Sequence, residues 1–229
     1  LPVLSCVIYS LIVAGALPLA VPAALAQTID EKPRSWHRGL VVGGGYLLAA
    51  PQGSFGETAG GPHGGLHVFV GLQDERWSAG IDVDGFTFSR AEERVALPSG
   101  PSVSLDSRSD AARISLYGRY GPRFGALHPF AEATVGVQVF ETRTTLGGSS
   151  SEGGGGSVSA RSATPTAGVG VGVMGIAEGV RIGWFVRARV ATGGRASYLV
   201  FDDETERFDP HASGTTSAAV SIGVLFYPF

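Results

Sequence analysis

From residue 39 onward the apolar positions of the chain recur at every second residue. Leu66, Val68, Val70 and Leu72 fall on one side, with His67, Phe69 and Gly71 on the other. Trp77, Ala79, Ile81 and Val83 alternate with Ser78, Gly80, Asp82 and Asp84. Ile114, Leu116 and Tyr120 oppose Arg113, Ser115, Tyr117 and Arg119, and Ala131, Ala133, Val135, Val137 and Val139 oppose Glu132, Thr134, Gly136 and Gln138. In 180–190, Val180, Ile182, Trp184, Val186, Ala188 and Val190 oppose Arg181, Gly183, Phe185, Arg187 and Arg189. A helix would scatter such residues around its axis, whereas successive side chains of a strand point to opposite faces. Segments 39–49 (Leu40, Val42, Tyr46, Leu48), 166–177 (Val169, Val171, Val173 against alternating glycines) and 216–229 (Ala218, Val220, Ile222, Val224, Phe226) complete eight predicted strands. Most are about ten residues long, the length of a tilted strand that crosses a bilayer.

The connections alternate between short and long. Short links fall at Gln73-Asp74-Glu75, at 121–128 with its Gly121-Pro122 turn signal, and near Glu178-Gly179; long ones span 50–63, 89–112, 142–165 and 192–215. In an up-and-down sheet this places all short turns at one end and all long loops at the other, the asymmetry of membrane barrels with short periplasmic turns and long external loops. One face of each strand is wholly apolar. The other mixes small residues with Asp82, Asp84, Arg113, Arg119, Glu132, Arg181, Arg187 and Arg189. A soluble ligand-carrying barrel would turn the apolar face inward and need a densely charged exterior. These charges are too few for that, and the chain has a single lysine, Lys32. The mixed face is therefore expected to line a narrow lumen, as a network of five arginines and three acids. The interior of an eight-stranded barrel is just wide enough to be filled by side chains.

Residues 7–26 carry no charge and end in Ala24-Leu25-Ala26, a small-x-small cleavage pattern, with Pro18 and Pro22 breaking any long helix. No Met or basic residue precedes them, so the natural start is expected upstream. The expected organisation is a signal peptide at 1–26, a periplasmic segment at 27–38 and a barrel at 39–229. Cys6, the only cysteine, would leave with the signal, which excludes a disulfide scaffold and suits an exported chain. Composition agrees with a chain not bathed in water on all sides. Glycine is 35 of 229 residues and charged residues are 16%; average usage is near 7% glycine and roughly 25% charged. A net charge of −3 gives no basic footprint for nucleic acid.

The C-terminus reads Ser221-Ile-Gly-Val-Leu-Phe-Tyr-Pro-Phe229, and Leu225, Tyr227 and Phe229 resemble the signal by which the barrel assembly machinery recognises outer-membrane proteins. This ending, the eight-strand plan, the segment 39–46 (Gly-Leu-Val-Val-Gly-Gly-Gly-Tyr) and Ser115-Leu-Tyr-Gly-Arg-Tyr120 before a proline turn resemble the small eight-stranded outer-membrane β-barrels, the barrel domain of outer-membrane protein A among them. Over about 36–229 the resemblance implies a single up-and-down antiparallel transmembrane β-barrel in the bacterial outer membrane. It is expected to lack the periplasmic peptidoglycan-binding domain of the larger members. The phase of Leu225, Tyr227 and Phe229 is opposite to that of Val220, Ile222, Val224 and Phe226. Either a bulge near Pro228 or a position below the membrane edge is expected to account for it.

Candidate chemistry adds little. Gly43-Gly44-Gly45 and the glycines at 168–172 precede no helix start, so they are expected to give interior clearance and not to cradle a phosphate. Gly147–Ser159 has the composition of a flexible external loop. Asp202, Asp203, Glu204, Glu206 and Asp209 cluster without calcium-loop spacing. His211-Ala212-Ser213 resembles the pair of outer-membrane lipid A deacylases, but no acid follows Asp209 to orient the histidine. His37, His63, His67 and His128 have no metal spacing. The expectation is a non-enzyme without cofactor or metal. Arg90, Arg94, Arg108, Arg143 and Arg161 fall where lipopolysaccharide phosphates lie. The functional expectation is a structural or interaction role through external loops, with lipopolysaccharide and the assembly machinery as partners. The alternatives are a narrow gated channel or hydrophobic-solute conduit and, less favoured, a lipid-modifying enzyme.

Overall fold

The computed structural model describes residues 38–59, 61–95, 103–148, 157–176, 181–202 and 207–228. Strands β1 (Gly39–Gln52), β2 (His63–Gln73), β3 (Trp77–Val95), β4 (Val103–Tyr120), β5 (Leu127–Gly148), β6 (Ser157–Ile176), β7 (Ile182–Asp202) and β8 (Arg207–Phe226) pair antiparallel in chain order. β8 returns to β1, from Val42↔Phe226 to Gln52↔Thr216, and closes the barrel. Closure satisfies the backbone of every wall strand, which lipid demands of a spanning structure. Among the described residues no helix is long and apolar enough to cross a membrane.

The period-2 pattern sorts the two faces as the sequence implies. Leu66, Leu116 and Val169 are 68%, 60% and 67% exposed on the outside, whereas Asp82 and Arg187 are 0% and 1% exposed inside. The exterior is a belt of Val, Leu and Ile, bordered at the short-turn end by Trp77, Tyr120, Phe124, Trp184 and Phe226. Such an aromatic girdle marks a membrane interface. On β4 the belt runs from Tyr120 to Ala112 and gives way to Asp110 and Arg108. These nine residues, at about 3.3 Å each and tilted by about 40°, span about 23 Å, close to the roughly 25 Å height of the apolar band of outer-membrane barrels. The molecule is an outer-membrane β-barrel with its short turns gathered at one end, the end that faces the periplasm in barrels of this kind.

Two expectations about the long loops are corrected. The strands have 18 to 22 residues where β4 to β8 were expected to have about ten. Stretches 89–112, 142–165 and 192–215 are largely strand, paired as ribbons beyond the belt. Their alternation continues, but Ser107, Ser109, Thr142, Thr164, Thr166 and Ser217 fill the inner positions and charged residues the outer ones. A hydrophobic periodicity therefore cannot register them. In 50–63 the chain forms α1 (Gly53–Ala59), which turns Phe55 into the barrel mouth. Of Gly147–Ser159, both flanks are strand and 149–156 lie outside the described residues.

At the periplasmic end Gly125, at φ +57°, makes the tight Phe124–Leu127 hairpin turn. Arg38 pairs with Glu75 and, at 3.1 Å, with Asp74. The hydrogen bond to Glu75 and then the two negative charges raise the guanidinium pKa above its ordinary value. β8 reaches Phe226 in unbroken register with β1, so no bulge shifts its phase. Leu225 and Tyr227 instead point inward and are buried; Phe229 lies outside the described residues.

Candidate functional site

The closed wall brings residues from five strands onto one level of the lumen. Arg187 on β7 is the hub. Its Nη1 donates to Asp82 Oδ2 at 2.9 Å and to Glu132 Oε1 at 3.2 Å, and its Nε to Ser221 Oγ at 3.2 Å. Arg189, two residues on and therefore on the same face, donates from Nη1 to Asp82 Oδ2 at 2.7 Å and pairs with Asp84. Arg113 grips Asp84 Oδ2 from Nε (3.1 Å) and Nη2 (2.6 Å) across the β3–β4 ladder, where the two residues are directly opposed. Arg119 faces Glu132 across the β4–β5 ladder and donates to its Oε2 at 2.7 Å. Its guanidinium also lies 4.5, 4.1 and 5.0 Å from the ring centroids of Phe69, Tyr117 and Phe130. Cation–π attraction is strong at such desolvated positions.

Apolar layers lie above and below these charges. Toward the periplasm Val41, Phe69, Tyr117, Phe130, Met174, Phe185, Leu225 and Tyr227 form one buried cluster, and the Tyr227 hydroxyl donates to Gln73 Oε1 at 3.1 Å. Toward the outside Leu47, Phe86, Phe88 and Phe140 close around Phe55, whose ring meets Phe88 and Phe140 edge-on at 5.5 Å. Ions held between apolar layers interact through a low dielectric, so each pairing is strong and each unpaired charge costly.

Seven of the eight residues expected in the lumen network are there. Arg181 is not. It precedes β7, is exposed at the rim, and donates to the Pro228 carbonyl at 3.1 Å. Without it the layer holds four arginines and three acids, a formal excess of +1, smaller than the sequence count implied. His67 is an addition: its Nδ1 lies 2.7 Å from Asp84 Oδ1 and 3.1 Å from Arg187 Nη2. A protonated ring nitrogen cannot also accept, so the short contact to the carboxylate fixes Nδ1 as donor, and Arg187 Nη2 is left to face Asp84 Oδ1 at 3.5 Å. His67, Asp82 and Asp84 are close enough to share a cation. Arg113, Arg187 and Arg189 already occupy the carboxylates, however, and their charge opposes one. Nothing in the spacing of the histidines signals this trio, because residues 67 and 82–84 meet only through strand pairing.

The interior glycines act as clearance. A Cβ on Gly43 would stand 2.3 Å from the Phe69 ring, and one on Gly172 2.5 Å from the Phe130 ring. Gly43→Val is expected to displace Phe69 from Arg119 and cost about 1–3 kcal/mol, as overpacking does. Denaturant titration of the refolded protein measures it, and an unchanged midpoint would show that Phe69 has room to move.

Beyond the belt, Arg90, Arg108, Arg143 and Arg161 are exposed on the outer wall; Arg94 lies on β3 opposite Ser104. The side chains of Asp202, Asp203, Glu204, Glu206, Asp209 and His211 lie outside the described residues, and Ser213 is buried inside.

The chain has the fold of the small outer-membrane barrels. No family model matches it, and no curated protein does. Among solved structures it is similar to a major outer-membrane protein from Thermus thermophilus, with 11% identity, a TM-score of 0.48 and coverage of 83% of this chain and 99% of that one. Ail, the attachment invasion locus protein of Yersinia pestis, crystallised with the heparin analogue sucrose octasulfate, gives 11% identity, a TM-score of 0.45 and coverage of 83% and 99%. Neisserial surface protein A gives 15% identity, a TM-score of 0.44 and coverage of 82% and 96%.

Proposed function

We propose that this outer-membrane barrel has a closed lumen and a structural or contact role, exercised by the ribbons that rise beyond the outer leaflet. The observation that carries the reading is the ion-paired layer held between two apolar layers. A solute crossing the lumen would have to part Phe55 from Phe88 and Phe140, break the pairs of Arg187, and then pass the cluster around Phe69 and Phe185. Each step removes contacts that water cannot replace at equal cost in a narrow barrel. A lipid-modifying activity is not favoured, because Ser213 points into the barrel and not toward lipid.

Planar-bilayer recording of the refolded full chain tests the closed lumen. The expected trace is silent at moderate voltage. A steady open conductance would sink the reading and favour the narrow-conduit alternative.

A further inference from the structure

On the outer wall just beyond the apolar belt, strand register sets three arginines side by side. Arg90 on β3 is directly opposite Arg108 on β4, which is directly opposite Arg143 on β5. All three are mostly exposed, at 70%, 59% and 66%. Like charges directly opposed across a ladder are destabilising, and neighbouring strands are only about 4.8 Å apart. A β-bulge builds this row. Thr87 opposes Asp110, but Ser89 opposes Ser109, so one extra residue is inserted at Phe88. Thr87 and Arg90 are an odd number of positions apart and would otherwise face opposite sides of the wall. The bulge keeps Phe86 and Phe88 in the lumen and turns Arg90 outward, the re-aiming that bulges perform.

Nearby acids only partly balance the row. Arg108 Nε donates to Asp110 Oδ1 at 2.9 Å, while Arg90 stands 3.7 Å from Asp106. Glu141 is shared at 3.5 Å between Arg143 and Arg161. Among the described side chains of this face, four guanidinium groups meet three carboxylates. Between β4 and β5 the side chains of Asp106, Arg108, Asp110, Glu141 and Arg143 line a shallow groove. Directly below it the wall turns apolar at Ala112 and Val139, so an occupant would have its body in the membrane and its anion at the arginines.

We propose that Arg90, Arg108 and Arg143 form a binding site for a phosphate of an outer-leaflet glycolipid, the lipid A part of lipopolysaccharide. A phosphomonoester carries between one and two negative charges and three acceptor oxygens, which suits guanidinium forks converging from adjacent strands. It relieves the like-charge row and leaves the acyl chains against the belt. Among the described residues the periplasmic rim offers no such row: Arg38 there is paired with Glu75 and Asp74.

The test measures binding of purified lipid A to the refolded full chain in detergent micelles, by calorimetry. The wild type, R90Q/R108Q/R143Q, R143Q alone, and R76Q at the opposite rim are compared. The triple variant is expected to bind about tenfold or more weakly, R143Q by a smaller factor in the same direction, and R76Q like wild type. Lipid A stripped of its phosphates should bind wild type no better than intact lipid A binds the triple variant. Phosphatidylcholine should be retained equally by all four proteins. Migration of the unheated proteins in electrophoresis reports folding, and if the triple variant does not fold, R143Q and the stripped lipid carry the test. Undiminished binding by folded variants, indifference of wild type to the lipid A phosphates, or equal loss of phosphatidylcholine would each overturn the site.

Discussion

Asp84→Ala is expected to be the most damaging single substitution in the lumen, with a loss of about 3–5 kcal/mol, the cost of stranding one partner of a buried pair. Among the described residues Asp84 is the sole carboxylate that Arg113 touches, and it also holds Arg189 and His67. Its removal leaves Arg113 buried and charged, with no aromatic face to receive it, and raises the excess of the layer from +1 to +2. Glu132→Ala produces the same charge excess but should cost less, because Arg119 keeps its three aromatic rings and Arg187 keeps Asp82. Exposed Glu57, on α1, is the control and should be silent. Denaturant titrations in lipid vesicles rank the three. Replacing Asp84 and Arg113 together by apolar residues of similar volume should return part of the loss, since an apolar pair carries no desolvation penalty. If the double variant were as unstable as Asp84→Ala, stranded charge would not be the cause.

Val137→Arg is the second. Val137 stands outward near the middle of the belt, level with Ile114 and Val83, and is 47% exposed to what is lipid in the membrane. Arginine there is expected to cost roughly 2–4 kcal/mol in folding into bilayers, falling toward 0–1 near the interfaces. Val137→Leu should be neutral. The neighbouring Gln138 is buried inside, opposite Arg113, and its replacement by arginine fails for a different reason, repulsion within an already positive layer. Salt distinguishes the two only weakly, but adding Arg113→Met does so sharply: it should rescue Gln138→Arg and leave Val137→Arg unchanged. Rescue of both would mean that position 137 does not face lipid.

These predictions draw on a fold that was largely written in the linear pattern. Wherever one face meets lipid, as at Leu66–Leu72 or Ala131–Val139, the chain must alternate between apolar and mixed residues, and both the strand and its inward set can be read. Alternation also separated Asp82, Asp84, Arg113, Arg119, Glu132, Arg187 and Arg189 from the belt, because a membrane wall leaves charge only one side to occupy. The pattern faded beyond the membrane. There Ser109, Thr142 and Arg108 alternate between two polar settings, and strands of about twenty residues looked like loops.

What the sequence determined by itself was the phase of each membrane strand, the end at which the short turns gather, and the residue types that enter the lumen. Periodicity is a local property, and the solvent on each face selects it. Which of those residues meet was decided only by closure and register. These put His67 on Asp84, set Arg187 between Asp82 and Glu132, left Arg181 on the rim because β7 starts one residue later, and sent Leu225 and Tyr227 inward. The inserted residue at Phe88 that aligns Arg90 with Arg108 and Arg143 was likewise invisible, since a bulge is a relation between two strands. Side-chain contacts of this kind join residues as many as 154 positions apart, as Gln73 and Tyr227 are, and no local spacing rule reaches across a barrel wall.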